Sequence, residues 1–98
     1  MLEHLFKEYI AATERVNGLK AREESPFNNL KIDMVERQRM IYIRELYDIF
    51  EKNQWDCNYL TVLYREYYDD TMPEDLYEEM YGLFFKLASN DDRGTADL

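Results

Sequence analysis

The chain has 98 residues, of which 46% are hydrophobic and 34% charged, and its formal net charge at pH 7 is -9. Because 15% of the residues are aromatic, the composition excludes an intrinsically disordered chain in spite of this charge. The length suits one small hydrophobic core, and the single cysteine excludes an internal disulfide.

The first predicted element is an amphipathic helix over residues 2–19. Apolar residues recur near the 3.6-residue period from Leu2 to Leu19, and most charged residues fall between them. Gly18 indicates the end of this helix, although the residues after it can add one further turn.

The longest predicted helix covers residues 30–52, which contain neither Gly nor Pro. Ser25 followed by Pro26 is typical of an N-cap with proline at the first helical position. Residues 27–29 are weaker helix formers, however, so the predicted start lies near Leu30. The expected apolar face consists of Ile32, Val35, Ile43, Leu46, Ile49 and Phe50, and is widened by Met40, Ile41 and Tyr47.

Two further helices are predicted over residues 56–69 and 72–88. Asp56 is a candidate cap for the first, because helically spaced apolar residues follow it; a strand here would have no partner strand. The run from Thr71 to Glu74 predicts a capping box for the second, and Gly82 predicts a close approach of another helix. Residues 91–98 are predicted to form a disordered, frayed acidic tail.

These elements predict an all-α fold, a compact bundle of about four helices in a single domain over residues 1–90. No apolar run approaches the roughly 18 residues of a membrane-spanning helix, and the N-terminus has no signal-peptide pattern. We therefore expect a cytoplasmic protein that does not contact membranes.

Charge is distributed unevenly along the chain. Residues 1–44 hold seven acids and eight bases, a net charge of +1, whereas residues 45–98 hold fourteen acids and four bases, a net charge of -10. Such an acidic half disfavours direct contact with nucleic acid and favours a basic surface on another protein. The cations Lys31, Arg37, Arg39 and Arg44 are accordingly expected to form a solvated face or to pair within the chain.

Residues 66–79 carry the strongest functional signal, with seven carboxylates and no Lys or Arg. Like charges one helical turn apart repel each other, and the interleaved tyrosines offer cation-π contacts to a basic partner. The predicted partner-binding residues are Glu66, Tyr68, Asp69, Asp70, Glu74, Asp75, Tyr77, Glu78 and Glu79. We expect a non-enzymatic inhibitor or regulator that mimics nucleic acid, of the type that phages and mobile elements encode; a merely solubilising surface is the competing interpretation.

No catalytic residue, metal site or cofactor is predicted. His4 is the only histidine and lies at the N-terminus. Cys57 lies at a predicted helix start, where a thiol pKa can be lowered, but without a histidine partner a packed, inert residue is the expectation.

Two Glu-x-x-Asp spacings, Glu45 with Asp48 and Glu66 with Asp69, resemble the MazG-like nucleotide pyrophosphohydrolases, in which two acidic helix motifs face each other across magnesium. The resemblance implies a magnesium-dependent enzyme that uses these four carboxylates. Arg44 stands where that family has its leading Glu, and Asp48 replaces another, so the implied site is degenerate.

The segment IRELYDIFEKNQW followed by YLTVLY resembles the Hha family of small helical regulators that bind nucleoid-structuring proteins. The shared residues are Ile43, Leu46, Glu51, Lys52, Asn53, Leu60, Val62 and Tyr64. This resemblance implies a regulatory or structural helix-bundle module that uses its hydrophobic faces, and a homodimer is one form that such a module takes.

Overall fold

The structure is a computed structural model that describes residues 1–22 and 24–96, with side chains up to residue 89. It contains four α-helices: α1 (Leu2–Lys20), α2 (Pro26–Asn53), α3 (Tyr59–Tyr68) and α4 (Glu74–Ala96). The described residues contain no strand, so the prediction of an all-α fold with four helices is confirmed. Over these residues, no helix has the length and apolar content needed to cross a bilayer.

The backbone of α4 continues to Ala96, eight residues beyond the predicted end at residue 88. The predicted tail over residues 91–98 therefore overlaps this helix, while its last two residues and all of its side chains lie outside those that the structure describes. The chain divides into two units, Met1–Leu46 and Tyr47–Leu98, with the boundary inside α2.

In the first unit, α1 forms because its apolar residues share one face. Its buried residues are Leu5, Phe6, Tyr9, Ile10, Ala12, Thr13, Val16 and Leu19. The hydroxyl of Thr13 donates a hydrogen bond to the Tyr9 carbonyl at 3.0 Å, which lets a polar residue lie within the buried face. The helix does not end at Gly18 but continues to Lys20, since a glycine weakens a helix without ending it.

The start of α2 differs from the predicted start near Leu30, because the helix begins at Pro26. The Ser25 side chain accepts a hydrogen bond from the Asn28 backbone N–H at 3.1 Å, as an N-cap does. The buried Asn28 amide also donates to the Leu19 carbonyl at 2.8 Å and so satisfies the C-terminal end of α1. Asn28 therefore links the C-terminal end of α1 to the N-terminal end of α2. The stabilisation from this contact outweighs the low helix propensity of asparagine.

We expect Asn28→Ala to lower the free energy of unfolding by roughly 1 to 2 kcal/mol, since the substitution removes a buried hydrogen bond. The cost stays in this range because the Leu19 carbonyl also accepts a 3.2 Å hydrogen bond from the Arg22 N–H. Urea unfolding followed by circular dichroism measures the change. The exposed neighbour supplies the control: Asn29→Ala should change stability by less than about 0.5 kcal/mol, and equal losses would contradict this role of Asn28.

In the second unit, the buried residues of α3 and α4 recur at helical spacing along each helix. They are Leu60, Leu63, Met80, Phe84 and Leu87. The ring of Phe84 packs edge to face against Tyr47 at 5.6 Å and against Phe50 at 5.1 Å, measured between ring centroids. The core of this unit is therefore strongly aromatic, and aromatic pairs of this geometry contribute beyond their buried area.

Three local predictions in this unit are wrong. Helix α3 begins at Tyr59, and the Asp56 carboxylate accepts instead from the N–H of Asn58, the residue immediately before the helix. Helix α4 begins at Glu74, so Pro73 precedes the first turn and Thr71 lies too far upstream to cap it. A Cβ atom placed on Gly82 would meet no other atom within 4 Å, so no neighbouring helix requires glycine there.

The end of α2 is a Schellman motif, a helix end closed by two backbone hydrogen bonds around a left-handed residue. Gln54 has φ 57°, its N–H bonds the Glu51 carbonyl, and the Trp55 N–H bonds the Phe50 carbonyl. The hydrophobic contact typical of this motif is present, because the Trp55 ring lies 5.4 Å from the Phe50 ring. The turn therefore places the only tryptophan of the chain against the aromatic core.

Candidate functional site

The predicted partner-binding residues lie on the last turn of α3, the following connection and the start of α4, and we call residues 66–79 the acidic surface. Six of its carboxylates are exposed: Glu66, Asp69, Asp70, Glu74, Asp75 and Glu78. Glu79, Tyr68 and Tyr77 are half-buried. All nine predicted residues thus lie in one stretch of the second unit, with at least part of each side chain accessible.

The six exposed carboxylates carry their charge without compensation from basic side chains. In the described part of the chain, ion pairs join Glu3 to Lys7, Glu36 to Lys20 and Asp33 to Arg37, and none involves these six residues. All three pairs lie in the first unit. The acidic surface therefore offers unneutralised negative charge to a partner.

Backbone geometry holds several of these carboxylates in place. Asp69 ends α3 in a left-handed conformation, and its N–H donates to the Arg65 carbonyl at 2.9 Å. The Asp70 carboxylate accepts from the Thr71 N–H at 2.7 Å. Glu74 and Asp75 occupy the first turn of α4, where the helix dipole favours negative charge.

The tyrosines of the acidic surface are held by neighbouring polar and aromatic groups. The Tyr68 ring stacks on the Tyr64 ring with centroids 4.6 Å apart. The Tyr77 hydroxyl donates to the Asn58 side-chain oxygen at 3.1 Å, and its ring lies 6.1 Å from the Tyr81 ring. Desolvation raises the pKa of Tyr77, with Cys57 and Asp56 acting in the same direction, so the hydroxyl remains a donor at neutral pH.

A cavity of about 190 Å³ in the second unit was not predicted from the sequence, and we call it the aromatic cavity. Its lining residues are Tyr47, Phe50, Glu51, Trp55, Cys57, Tyr81, Phe84, Phe85 and Ala88. They come from α2, the connection after it and α4, so residues as far apart as 47 and 88 meet there. Tyr81 joins this cavity to the acidic surface through its ring contact with Tyr77.

Cys57 lines the aromatic cavity, and its surroundings disfavour the thiolate form. Burial raises the pKa of its thiol, and the nearby charge of Asp56 raises it further. The helix that follows begins only at Tyr59, so the thiol is not stabilised as a thiolate by the start of a helix. Cys57 is half-buried, as expected for a partly packed cysteine.

Metal-ligating groups do not converge among the described residues. No group of three or more His, Cys, Asp or Glu side chains in the described part of the chain is arranged to hold a metal ion. Within the second unit, Asp48, Glu66 and Asp69, three of the carboxylates named by the MazG-like resemblance, do not form such a group.

Three of the four cations in the predicted basic cluster make contacts within the first unit. Arg37 pairs with Asp33 at 3.0 Å, Lys31 lies over the Phe27 ring, and Arg39 lies over the Tyr9 ring. Lys31 also lines a groove with Arg15 and Arg22 from the region of α1. Most of these basic residues therefore contact other groups of the same unit. This agrees with the expectation that they form a solvated face or pair within the chain.

The outer side of α2 in the first unit carries an apolar stripe that the sequence analysis did not identify. It consists of Phe27, Leu30, Met34 and Ile41, each more than half exposed. The prediction that Met40 and Ile41 widen the buried face of α2 is wrong, because both side chains are exposed. Phe27, Met34 and Ile41 are seven residues apart, the repeat that two packed helices share.

No protein-family model, curated protein or solved structure matches this chain.

Proposed function

We propose that this chain is a non-enzymatic binding protein that docks its acidic surface onto a basic, nucleic-acid-binding surface of a partner protein and so inhibits or regulates that partner. Recognition combines two kinds of contact. Carboxylates attract the basic partner over a distance, and the half-buried rings of Tyr68 and Tyr77 supply contact area once the surfaces meet.

The observation that carries the proposal is the exposure of six carboxylates without basic partners in the described part of the chain. A surface whose only task is solubility gains from mixed charges, but no ion pair neutralises the six exposed carboxylates of the acidic surface, whereas Glu3, Asp33 and Glu36 of the first unit are paired. Keeping Glu74 with Glu78 and Asp75 with Glu79 one turn apart costs a few tenths of a kcal/mol per pair. A cationic partner removes this cost.

The spacing of the charges favours mimicry of nucleic acid. Residues one helical turn apart on α4 place their Cβ atoms roughly 5 to 6 Å from each other. Phosphates along one nucleic-acid strand recur at a comparable interval, so basic side chains arranged for phosphates can also meet these carboxylates. The partner is therefore expected to use one surface for both ligands.

Competition with nucleic acid tests this function. A partner isolated from cell extract on the immobilised protein should release its DNA or RNA as the protein is added, in fluorescence anisotropy with a labelled oligonucleotide. Raising the salt concentration from 50 to about 200 mM should weaken the protein complex strongly, because exposed charges are screened over about 8 to 10 Å. A partner that binds the protein and the oligonucleotide together would contradict mimicry.

The apolar stripe favours a second candidate function, a helix-bundle module that forms a homodimer through α2. Self-association suits this surface because a second, antiparallel copy presents the same seven-residue repeat of apolar residues. This module would act through its hydrophobic face rather than through the acidic surface.

Sedimentation velocity over a range of protein concentrations tests the dimer. The double substitution Leu30→Glu and Met34→Glu should weaken dimerisation at least about a hundredfold, because each apolar side chain contributes roughly 1.5 to 3 kcal/mol when it is buried. Val62→Glu, at another exposed apolar position, is the control and should leave the dimer intact. A parent protein that stays monomeric at millimolar concentration would exclude this function.

A further inference from the structure

The aromatic cavity has the composition of a binding site for an organic cation. Six of its nine lining residues carry aromatic rings. The Phe50 ring is nearly perpendicular to the rings of Trp55 and Phe84, with centroid distances of 5.4 and 5.1 Å. Rings in different orientations enclose a space from several sides, and the face of an aromatic ring attracts a cation within about 6 Å of its centroid.

Size limits what can enter the cavity. Its volume is about 190 Å³, and an apolar cavity of roughly 150 Å³ is known to hold benzene. There is therefore room for one planar or tetrahedral group with a short alkyl stem. A guanidinium or ammonium group with its last methylenes meets this limit, and Tyr81 and Phe85, which are both exposed, leave the entrance open to solvent.

The charges around the cavity determine whether it favours a cationic, a neutral or an anionic ligand. Glu51 is the one carboxylate that lines the cavity, and it is exposed at its edge. The second unit has thirteen acids and four bases, a net charge of -9, so an anion is repelled. A neutral group would gain at most a hydrogen bond from Glu51, whereas a cation gains charge attraction both from this carboxylate and from the ring faces.

We propose that the aromatic cavity binds a cationic side chain, arginine or lysine, that the basic partner inserts as it docks on the acidic surface. The source of the cation rests on the proposed function, but the preference of the cavity for a cation does not. Tyr77 belongs to the acidic surface and its ring lies 6.1 Å from that of Tyr81, which lines the cavity. A partner held by the carboxylates therefore has the cavity entrance beside it.

The cavity can be tested without the partner, because Trp55 is the only tryptophan and lines it. Butylguanidinium is the probe, and butylurea is its neutral counterpart of nearly the same shape. Tryptophan fluorescence should change saturably with butylguanidinium and at least several-fold more weakly with butylurea. N-acetyltryptophanamide, titrated in parallel, corrects for collisional quenching. Equal affinity for both probes, or no saturable change, would overturn the proposal.

Two substitutions separate the contributions of the carboxylate and the ring. Glu51→Gln and Phe85→Leu should each weaken butylguanidinium binding about two- to fivefold, the range for exposed cation contacts. Glu45→Gln and Phe27→Leu are matched controls, since they change an exposed acid of the same helix and an exposed phenylalanine of the other unit. Circular dichroism checks that each variant is folded. The proposal is wrong if neither cavity variant weakens binding, or if the controls weaken it equally.

The two proposals fail in different ways. If the acidic surface does not dock, neutralising its carboxylates leaves association with the partner unchanged, while butylguanidinium still binds beside Trp55. If the cavity takes no side chain of the partner, docking stays dependent on salt, but Phe85→Leu does not accelerate dissociation of the complex. In a complex that uses the cavity, Phe85→Leu should raise the dissociation rate about two- to fivefold.

Discussion

A variant with Asp69→Asn, Asp70→Asn, Glu74→Gln and Asp75→Asn should associate with the basic partner about ten- to a hundredfold more slowly than the parent at low salt. Long-range attraction between opposite charges accelerates encounter by factors of this size. The dissociation rate should change much less, because it depends on contacts formed after docking. Surface plasmon resonance with the immobilised partner at several salt concentrations separates the two rates.

The substitutions preserve the local backbone. Asparagine adopts the left-handed conformation of Asp69 readily, and an amide oxygen at residue 70 can still accept from the Thr71 N–H. Stability should fall only by the roughly 0.3 to 1 kcal/mol per residue by which Glu74 and Asp75 favour the start of α4. A control with the same charge change neutralises Glu3, Glu14, Glu24 and Glu45, all of which are exposed. Equal slowing by both variants would show that only net charge matters.

Phe84→Ala should lower the free energy of unfolding by about 3 to 5 kcal/mol, the usual cost of truncating a buried phenylalanine. The side chain is 4% exposed and contacts the rings of both Tyr47 and Phe50, so the substitution leaves a void and removes two aromatic contacts. The free energy of unfolding of a domain of this size is roughly 5 to 15 kcal/mol. The variant should therefore be partly unfolded at 37 °C.

The adjacent residue provides a control of identical chemistry. Phe85 is 65% exposed, so Phe85→Ala should change the free energy of unfolding by less than about 0.5 kcal/mol. Urea unfolding curves for both variants make the comparison. Similar losses at residues 84 and 85 would contradict the assignment of the buried face of α4.

Helical periodicity predicted the four helices because every one of them has an apolar face, and the buried residues Leu60, Met80 and Leu87 lie where the period puts them. Helix starts were predicted less well because they depend on contacts outside the helix. Helix α2 includes Asn28, a weak helix former, because the side chain of Asn28 hydrogen-bonds to the end of α1. Thr71 has the residue type of a cap, but the helix begins three residues later.

The acidic surface was visible in the sequence because its residues follow one another along the chain. The aromatic cavity could not be predicted from the sequence, because the residues that line it are as far apart along the chain as 47 and 88. In addition, the turn that brings Trp55 to Phe50 has a residue type at its left-handed position that seldom occurs there. Gly is the usual signal for a left-handed residue at a helix end, and Gln54 occupies that position here. The apolar stripe was missed because the predicted start of α2 excluded Phe27, and because periodicity alone did not separate Ile41 from the buried face.

The continuation of α1 past Gly18 bears on the chemical ageing of the protein. Asn17-Gly18 is the sequence most prone to deamidation in flexible chains, since the glycine nitrogen can attack the asparagine side chain to form a succinimide. Within α1 the Gly18 N–H is part of the hydrogen-bond ladder of the helix, and the helical backbone keeps this nitrogen away from the Asn17 carboxamide. The same helix that buries Val16 and Leu19 therefore also protects Asn17 from conversion to aspartate or isoaspartate, either of which would place a new negative charge near the C-terminal end of α1.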